Sequence, residues 1–172
     1  LGSSPDLVVT EDGMIYVAYS IPLNEQRGVY LTKSEDGGTT WTEPVLAFDA
    51  VQAGWEMVDE PHIVVSQAKE INLILTKYSI PGGSGSLGVY ATVSSDDGDN
   101  WSDIRTIVEK PVLWSDLTPS VGGDLFRSWL ESSVGGIFFQ YQISKDQGIT
   151  WTPAASISTI GEIIALPTLT RD

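Results

Sequence analysis

The sequence predicts an all-β protein built from four-stranded propeller blades, and three observations lead to this prediction. A short signature, S-x-D-x-G-x-x-W, occurs three times, and its aspartates are separated by 60 and 50 residues. A proline that opens an apolar run recurs at a similar spacing. Short segments rich in Ile, Val and Tyr alternate with tight turns, and no stretch keeps a helical period. Repeated units of this size with four short strands each are typical of a propeller.

The three signatures carry residues that together predict a self-contained turn. The Asp can accept hydrogen bonds from N–H groups of its own turn, and the Ser hydroxyl can do the same. Glycine permits the positive φ of a tight turn, and the Trp indole N–H needs a partner. The residues assigned to these roles are Ser34, Asp36, Gly37 and Trp41, then Ser94, Asp96, Gly98 and Trp101, then Ser144, Asp146, Gly148 and Trp151.

The second signature also allows a calcium-loop interpretation, because Asp96, Asp97 and Asp99 crowd together. The other two copies lack this crowding, and no Glu stands at the loop-end spacing of a calcium site. We therefore predict structural turns and no metal site. The glycine-rich run 82–86 has no Lys and no strand-to-helix setting, so we predict no phosphate cradle and no cofactor.

Prolines and repeated short segments divide the chain into units. Because proline cannot donate a ladder hydrogen bond, it is tolerated at the start of an edge strand. The prolines predicted to open first strands are Pro5, Pro61, Pro119 and Pro167. The tetrapeptide Tyr19–Pro22 returns as Tyr78–Pro81 and marks the same repeat. The predicted blades span about 1–55, 56–113 and 114–165, and a fourth begins at about 166–172.

The signatures resemble the Asp-box, or BNR repeat, of the sialidase family, and this resemblance covers essentially the whole chain. It implies a sialidase-like β-propeller that is partial here, with three four-stranded blades and the first strand of a fourth. It also implies a sialidase-like glycoside hydrolase, or part of one, that acts on extracellular glycans. Because the same box occurs in non-catalytic propellers, a module that recognises carbohydrate or protein is the alternative.

The resemblance can be tested at the arginine positions of the family. Sialidases carry an Arg two positions before the first-strand proline, and it is one of three that grip the substrate carboxylate. The corresponding positions here hold Ser3, Asp59, Leu117 and Ala165. Bidentate recognition of a carboxylate favours Arg, so the sequence leaves catalysis within this segment open. Arg171, on the predicted opening strand of the fourth blade, remains a candidate for substrate binding.

The predicted connectors between blades carry the other candidate site residues. Trp55, Asp59 and Glu60 lie in the first connector, and Trp114 and Asp116 lie in the second. Trp rings stack on sugar faces, and carboxylates accept from sugar hydroxyls or act as general acid and base. We therefore predict a glycan or another small polar ligand, with the three acids as candidate catalytic groups. The alternative is that both Trp rings plug joints between blades and the acids are solvated.

The composition limits the partners of the chain. Its 172 residues include 23 acidic and 9 basic side chains, which give a net charge of −14. This charge argues against nucleic acid and anionic membranes as partners, and it suits a secreted extracellular or periplasmic protein. The absence of cysteine excludes disulfides and thiol chemistry. Propellers close with about four to eight blades, so we expect the remaining blades of a longer chain, or a second copy, to complete the ring.

Overall fold

The computed structural model describes residues 2–80, 85–134 and 136–158, which form twelve strands and no helix. The strands make three antiparallel sheets of four strands each, and neighbouring strands in a sheet are consecutive in the chain. Within these ranges there is no helix that is long and apolar enough to cross a membrane. The predicted all-β organisation in four-stranded sheets is confirmed for this part of the chain. The predicted opening strand of a fourth blade lies outside the described residues.

Each sheet is a meander of consecutive strands. Sheet 1 consists of β1 (Ser3–Val9), β2 (Ile15–Ile21), β3 (Gly28–Ser34) and β4 (Val45–Asp49). Sheet 2 consists of β5 (Met57–Val65), β6 (Ile71–Tyr78), β7 (Ser86–Ser94) and β8 (Arg105–Val108). Sheet 3 consists of β9 (Val112–Pro119), β10 (Leu125–Ser133), β11 (Gly136–Ser144) and β12 (Ala155–Ser158). The chain divides into two compact units, Leu1–Glu109 with sheets 1 and 2, and Lys110–Asp172 with sheet 3.

Sheets 1 and 2 pack against each other and share one apolar core. Strand β2 alternates between buried and half-buried residues, as expected of a strand with one covered face. The buried face of sheet 1 meets residues of β5, β6 and β7. The centre of this core consists of Tyr16, Ala18, Val29 and Leu31 from sheet 1 and Val58, Ile63, Ile71, Leu73, Leu75 and Tyr90 from sheet 2.

The three signatures form the turns between the third and fourth strands, and they repeat one hydrogen-bond pattern. In each turn the Ser Oγ donates to the Asp Oδ1 at 2.8–2.9 Å and accepts from a glycine N–H at 2.7–2.8 Å. The Asp Oδ1 also accepts the N–H four residues later. The Trp Nε1 donates to the glycine carbonyl at 3.0–3.1 Å. The predicted turn chemistry is therefore confirmed.

The predicted position of the turn glycine in the first signature, Gly37, was wrong by one residue. Gly38, and not Gly37, donates to Ser34 Oγ and accepts from the Trp41 indole. Its φ of 90° matches the values of 89° and 92° at the glycines of the other two copies. Gly37 occupies the preceding position, which also has positive φ but holds Asp97 in the second copy. The fifth position favours glycine because its φ is positive in all three copies.

Asp97 ties the second signature turn to sheet 1. Its Oδ2 accepts from Lys33 Nζ at 2.9 Å, its main-chain oxygen accepts from the same ammonium at 2.7 Å, and its Oδ1 accepts from the Tyr16 hydroxyl at 2.7 Å. These contacts give Asp97 a structural role in joining sheets 1 and 2. Among the described residues, no group of three or more His, Asp or Glu side chains is arranged to hold a metal ion.

The prolines do not open the first strands as predicted. Pro5 and Pro61 lie inside β1 and β5, which begin at Ser3 and Met57, and Pro119 ends β9. Pro119 pairs with Leu125, whereas the residue in the matching position of sheet 2 is Val65. Edge strands tolerate proline at several positions, so a similar spacing did not mean the same position. Asp59 and Glu60 accordingly lie within β5, and Trp114 and Asp116 lie within β9, rather than in connectors.

The signature aspartates give the turns a dependence on pH. Hydrogen bonds from the residue four positions later hold the pKa of each carboxyl below its usual range. The largest contribution comes from the Thr40 N–H for Asp36, from the Asn100 side chain for Asp96 and from the Thr150 hydroxyl for Asp146. A lowered pKa in the folded state contributes stability above the unfolded pKa, and that contribution is lost as pH falls through the folded pKa.

We therefore expect Asp36→Asn, Asp96→Asn and Asp146→Asn each to reduce the acid sensitivity of the fold. Urea unfolding midpoints, measured between neutral pH and mild acid, should fall less steeply for each variant than for the wild-type chain. Asp103→Asn, at an exposed aspartate outside the turn hydrogen bonds, is the control. Equal slopes for the wild-type chain and all three variants would contradict the expectation.

Candidate functional site

The two ends of sheets 1 and 2 carry different kinds of segment. The signature turns and the turns between first and second strands lie at one end. At the opposite end, which we call the connector end, lie the starts of β1 and β5, the β2–β3 loop (22–27) and the β4–β5 connector (50–56). The connector end holds the less repetitive segments of this unit. Binding residues are concentrated on such variable loops when a rigid sheet positions them.

A bulge shapes each first strand at the connector end. The register shifts by one residue between Ser3 and Asp6 in β1, and again between Asp59 and His62 in β5. The residue before each strand proline has positive φ, 46° at Ser4 and 53° at Glu60. That conformation is uncommon for a residue with a side chain and is disfavoured before proline. A bulge redirects a side chain, and here it carries Glu60 to Tyr78.

Four residues meet at these bulges and form what we call the bulge site: Ser3, Asp59, Glu60 and Tyr78. The Ser3 hydroxyl donates to Asp59 Oδ1 at 2.9 Å, and the Glu60 N–H donates to the same oxygen at 2.9 Å. The Tyr78 hydroxyl donates to Glu60 Oε2 at 2.6 Å. All four side chains are half-buried. The site therefore places two neighbouring carboxylates and a phenol where solvent and a ligand can reach them.

The protonation of Tyr78 follows from its surroundings. Burial, and then the hydrogen bond to the Glu60 carboxylate, raise the pKa of Tyr78 above its usual range. Tyr78 is therefore a neutral donor at physiological pH, and Glu60 is its acceptor. One oxygen of each carboxylate is engaged by these contacts, which fixes the orientation of Asp59 and Glu60 before a ligand arrives.

Trp55 occupies the joint between sheets 1 and 2 and does not present its ring to solvent. It is 6% exposed, and its ring centroid lies 4.5 Å from that of Phe48 and 4.6 Å from that of Tyr90. The Lys77 ammonium lies 5.2 Å from the ring centroid. This is the joint-plugging arrangement, which leaves no free face for stacking on a sugar. Trp55 is therefore not part of the bulge site.

The basic side chains near the joint support the fold. The Arg27 guanidinium donates through Nε to the Trp55 carbonyl at 2.6 Å and through Nη1 to the Asn24 carbonyl at 2.8 Å. Lys77 lies against the Trp55 ring. The acids of this end include Glu56, whose Oε2 accepts from the Ile80 N–H at 3.1 Å. The bulge site and its surroundings are therefore rich in carboxylates, while the adjacent guanidinium is held by main-chain carbonyls.

The remaining predicted site residues lie outside the first unit. Trp114 and Asp116 are on β9 of sheet 3, where Trp114 is half-buried with its ring centroid 6.2 Å from that of Phe139. Asp116 Oδ1 accepts from the Leu117 N–H at 2.8 Å. Arg171 lies outside the described residues. Sequence reasoning did not select Tyr78 as a site residue, although it marked the tetrapeptide that begins with it.

Comparisons with known proteins identify the fold. Neither a family model nor a curated protein sequence matches the chain significantly. Among solved structures, a protein of unknown function from Dyadobacter fermentans matches with a TM-score of 0.67 and 18% identity, over 88% of this chain and 53% of that one. The Hadza microbial sialidase Hz136 matches with a TM-score of 0.67 and 19% identity, over 87% of this chain and 36% of that one.

An enzyme of a different kind shares the same architecture. An ulvan lyase of a polysaccharide lyase family, bound to an oligosaccharide, matches with a TM-score of 0.64 and 15% identity, over 90% of this chain and 39% of that one. These likenesses confirm the predicted fold class, a sialidase-like β-propeller with unclosed blades. The chain spans about half or less of the length of each of these structures.

Proposed function

We propose that the chain is part of a sialidase-like glycoside hydrolase that acts on extracellular glycans, and that its three signature turns are Asp-boxes. The observation that carries the proposal is the bulge site, in which Glu60 accepts from Tyr78 at 2.6 Å beside Asp59. Most glycoside hydrolases use a pair of carboxyl groups that flank the bond to be broken, and sialidases use a Tyr nucleophile; the bulge site holds both kinds of group. Further blades, from a longer chain or from a second copy, complete the propeller. The likeness to glycan-acting structures supports a carbohydrate ligand.

The roles of the bulge-site residues follow from their hydrogen bonds. Asp59 and Glu60 act as the acid and base pair, because each keeps one carboxylate oxygen that no described residue engages. Tyr78 holds Glu60 in place through its hydrogen bond to Oε2 and so leaves the other carboxylate oxygen for the substrate. Asp116, on sheet 3, is the third candidate acid from the sequence.

The charge of the bulge site favours an uncharged sugar over an acidic one. An acidic sugar in the bulge site would place its carboxylate close to the carboxylates of Asp59, Glu60 and Glu56. Like charges that are close together repel each other. Among the described residues of the first unit, Arg27 is the arginine nearest in structure to this end, and main-chain carbonyls hold it. The substrate panel should therefore include neutral glycosides together with sialosides.

A recognition module without catalysis is the second candidate, and one observation favours it. The positions that carry the substrate-binding arginine in sialidases hold Ser3 and Asp59 here, and both are engaged in the same hydrogen bond. In that case the carboxylates and Tyr78 bind sugar hydroxyls and perform no proton transfer. The module would work outside the cell on the same class of ligand.

The experiment measures turnover of a panel of fluorogenic neutral glycosides and sialosides together with binding to a glycan array. If the wild-type chain turns over one substrate, we expect Glu60→Gln and Asp59→Asn each to lower kcat/KM by about 100-fold or more. Tyr78→Phe should lower it less, because the phenol positions Glu60. Glu43→Gln, at an exposed glutamate of the opposite end, should have no effect and serves as the matched control.

The outcomes separate the two candidates. Binding that Glu60→Gln abolishes, without turnover of any substrate, would establish the recognition module and reject the hydrolase. Turnover that persists unchanged in both acid variants would move the catalytic site away from the bulges. Neither binding nor turnover on the full panel would reject both.

A further inference from the structure

The face of sheet 1 that points away from sheet 2 is apolar and uncovered by any described residue of the first unit. We call it the outer face, and it consists of Leu7, Val9, Ile15, Val17, Tyr19 and Tyr30. Leu7 and Val9 are 56% and 59% exposed, and the other four side chains are half-buried. The Tyr19 and Tyr30 rings stack with centroids 5.6 Å apart. An apolar face of this extent marks a surface that a partner covers.

Strand register identifies the matching residues of sheet 2. Ile15 pairs with the signature Ser34, and Ile71 pairs with the signature Ser94, so these two isoleucines hold the same position. When the strands are followed from that pair, the six residues of the outer face match six residues of sheet 2. In the same order, these are Ile63, Val65, Ile71, Leu73, Leu75 and Tyr90. Five of these are at most 7% exposed and Val65 is half-buried, and all six belong to or pack against the core shared with sheet 1. The outer face of sheet 1 therefore occupies the same positions through which sheet 2 packs against sheet 1.

Sheet 1 also shows what kind of surface binds to such a face. Sheet 1 covers sheet 2 with Tyr16, Ala18, Val29 and Leu31. The same register positions in sheet 3 hold Phe126, Ser128, Phe139 and Tyr141. Three of these four are half-buried aromatic side chains, and Ile157, which pairs with Phe139, is 55% exposed. We call these five residues the aromatic face of sheet 3.

We propose that the outer face of sheet 1 binds the aromatic face of sheet 3 from a second copy of this chain. This contact repeats, between two molecules, the way in which sheet 1 covers sheet 2 within one molecule. It is a head-to-tail contact, because the two copies contribute different surfaces. The chain spans 36–53% of the matched structures, so two copies supply about as much chain as one longer propeller.

The charge of the chain gives this association a distinctive dependence on salt. Each copy carries a net charge of −14, so two copies repel each other at low ionic strength. The residues of the proposed contact are apolar, and burial of apolar surface does not weaken when salt screens charge. Self-association should therefore become stronger as the salt concentration rises.

The test is sedimentation of the full 172-residue chain over a range of concentrations at low and high salt. We expect reversible self-association that strengthens with salt. The double variant Leu7→Lys/Val9→Lys alters the outer face at two exposed positions, and Tyr141→Lys/Ile157→Lys alters the aromatic face. Each should raise the Kd of self-association about tenfold or more, because each buries lysines in the contact. Circular dichroism checks that both variants keep the fold.

Two further arms make the result specific. Thr39→Lys/Ser95→Lys is the control, because it makes the same change in charge at exposed positions of the signature turns. Lysine fits this type of turn, since Lys145 stands at the position of Ser95 in the third copy. The control should associate like the wild-type chain. A mixture of the two face variants should form a one-to-one complex, because each supplies the surface that the other has lost.

Three results would overturn the proposal. The first is a wild-type chain that stays monomeric at every concentration and salt level. This result would indicate that a blade outside residues 1–172, and not a second copy, covers the outer face. The second is unchanged association of the Leu7→Lys/Val9→Lys variant. The third is association of the wild-type chain without complex formation in the mixture, which would indicate a contact between two identical faces.

Discussion

Replacement of Trp55 by alanine is expected to lower the free energy of unfolding of the first unit by about 3–5 kcal/mol, the usual cost of removing a buried Trp side chain. The ring is enclosed by Phe48 and Tyr90, and its backbone holds the joint through the Ala50 carbonyl and Arg27. A loss of this size is a large fraction of the roughly 5–15 kcal/mol that stabilises a typical domain. Urea unfolding followed by circular dichroism measures it.

Trp41→Ala is the matched control for this experiment. Trp41 is 45% exposed in the first signature turn, and its indole N–H donates to the Gly38 carbonyl at 3.1 Å. Its removal should cost about 1 kcal/mol, the contribution of one hydrogen bond with little buried surface. A Trp55→Ala variant that unfolds like the wild-type chain but no longer binds glycan would contradict the structural role and restore Trp55 as a sugar platform.

The signature turns could be predicted from the sequence because their contacts are local. Every hydrogen bond that defines the first turn joins residues between Ser34 and Trp41. Residue types such as Asp, Gly and Trp at fixed offsets therefore carry most of the information that the turn needs. The one error, at Gly37 and Gly38, arose where two adjacent glycines both have positive φ.

The bulge site could not be predicted in the same way, because its contacts join distant parts of the chain. Ser3 and Asp59 are on different sheets, and Glu60 reaches Tyr78 only through the bulge in β5. A bulge shifts the pairing by one residue and redirects the side chains around it. No motif in the sequence marks that shift, so the acids were expected in a connector, whereas they lie in a strand.

The repeated tetrapeptide shows a second limit of sequence repeats. Tyr19 and Tyr78 begin identical segments, yet they hold different positions in their sheets. Tyr19 pairs with Tyr30, a position held in sheet 2 by Leu75, whose partner is Tyr90. Tyr78 lies three residues further along its strand, where it pairs with Met57 and reaches Glu60. Strand pairing, and not the local sequence, therefore determines which tyrosine belongs to the bulge site.

Replacement of Asp97 by alanine is expected to destabilise the first unit by about 2 kcal/mol, because it leaves the Tyr16 hydroxyl without its acceptor and leaves the Lys33 ammonium with only the main-chain oxygen of residue 97. The Tyr16 hydroxyl donates to Asp97 from a fully buried ring, and the Lys33 ammonium, with a side chain that is 16% exposed, pairs with the same carboxylate. Loss of one member of a buried ion pair costs more than loss of both. The expected value lies at the low end of the usual range because both charged groups keep some contact with water.

A double-mutant cycle separates this tie from a general effect of the turn. In the Asp97→Ala background, Lys33→Met should cost less than it does alone, because the ammonium has already lost its carboxylate partner and keeps only the main-chain oxygen of residue 97. Asp97→Asn should be milder than Asp97→Ala, since its amide oxygen still accepts from Tyr16. Additive effects of Asp97→Ala and Lys33→Met in urea unfolding would show that the two side chains act independently. Non-additivity would instead establish that an acid in one signature turn joins two neighbouring sheets, a role that the first and third copies, with Gly37 and Gln147 at this position, do not share.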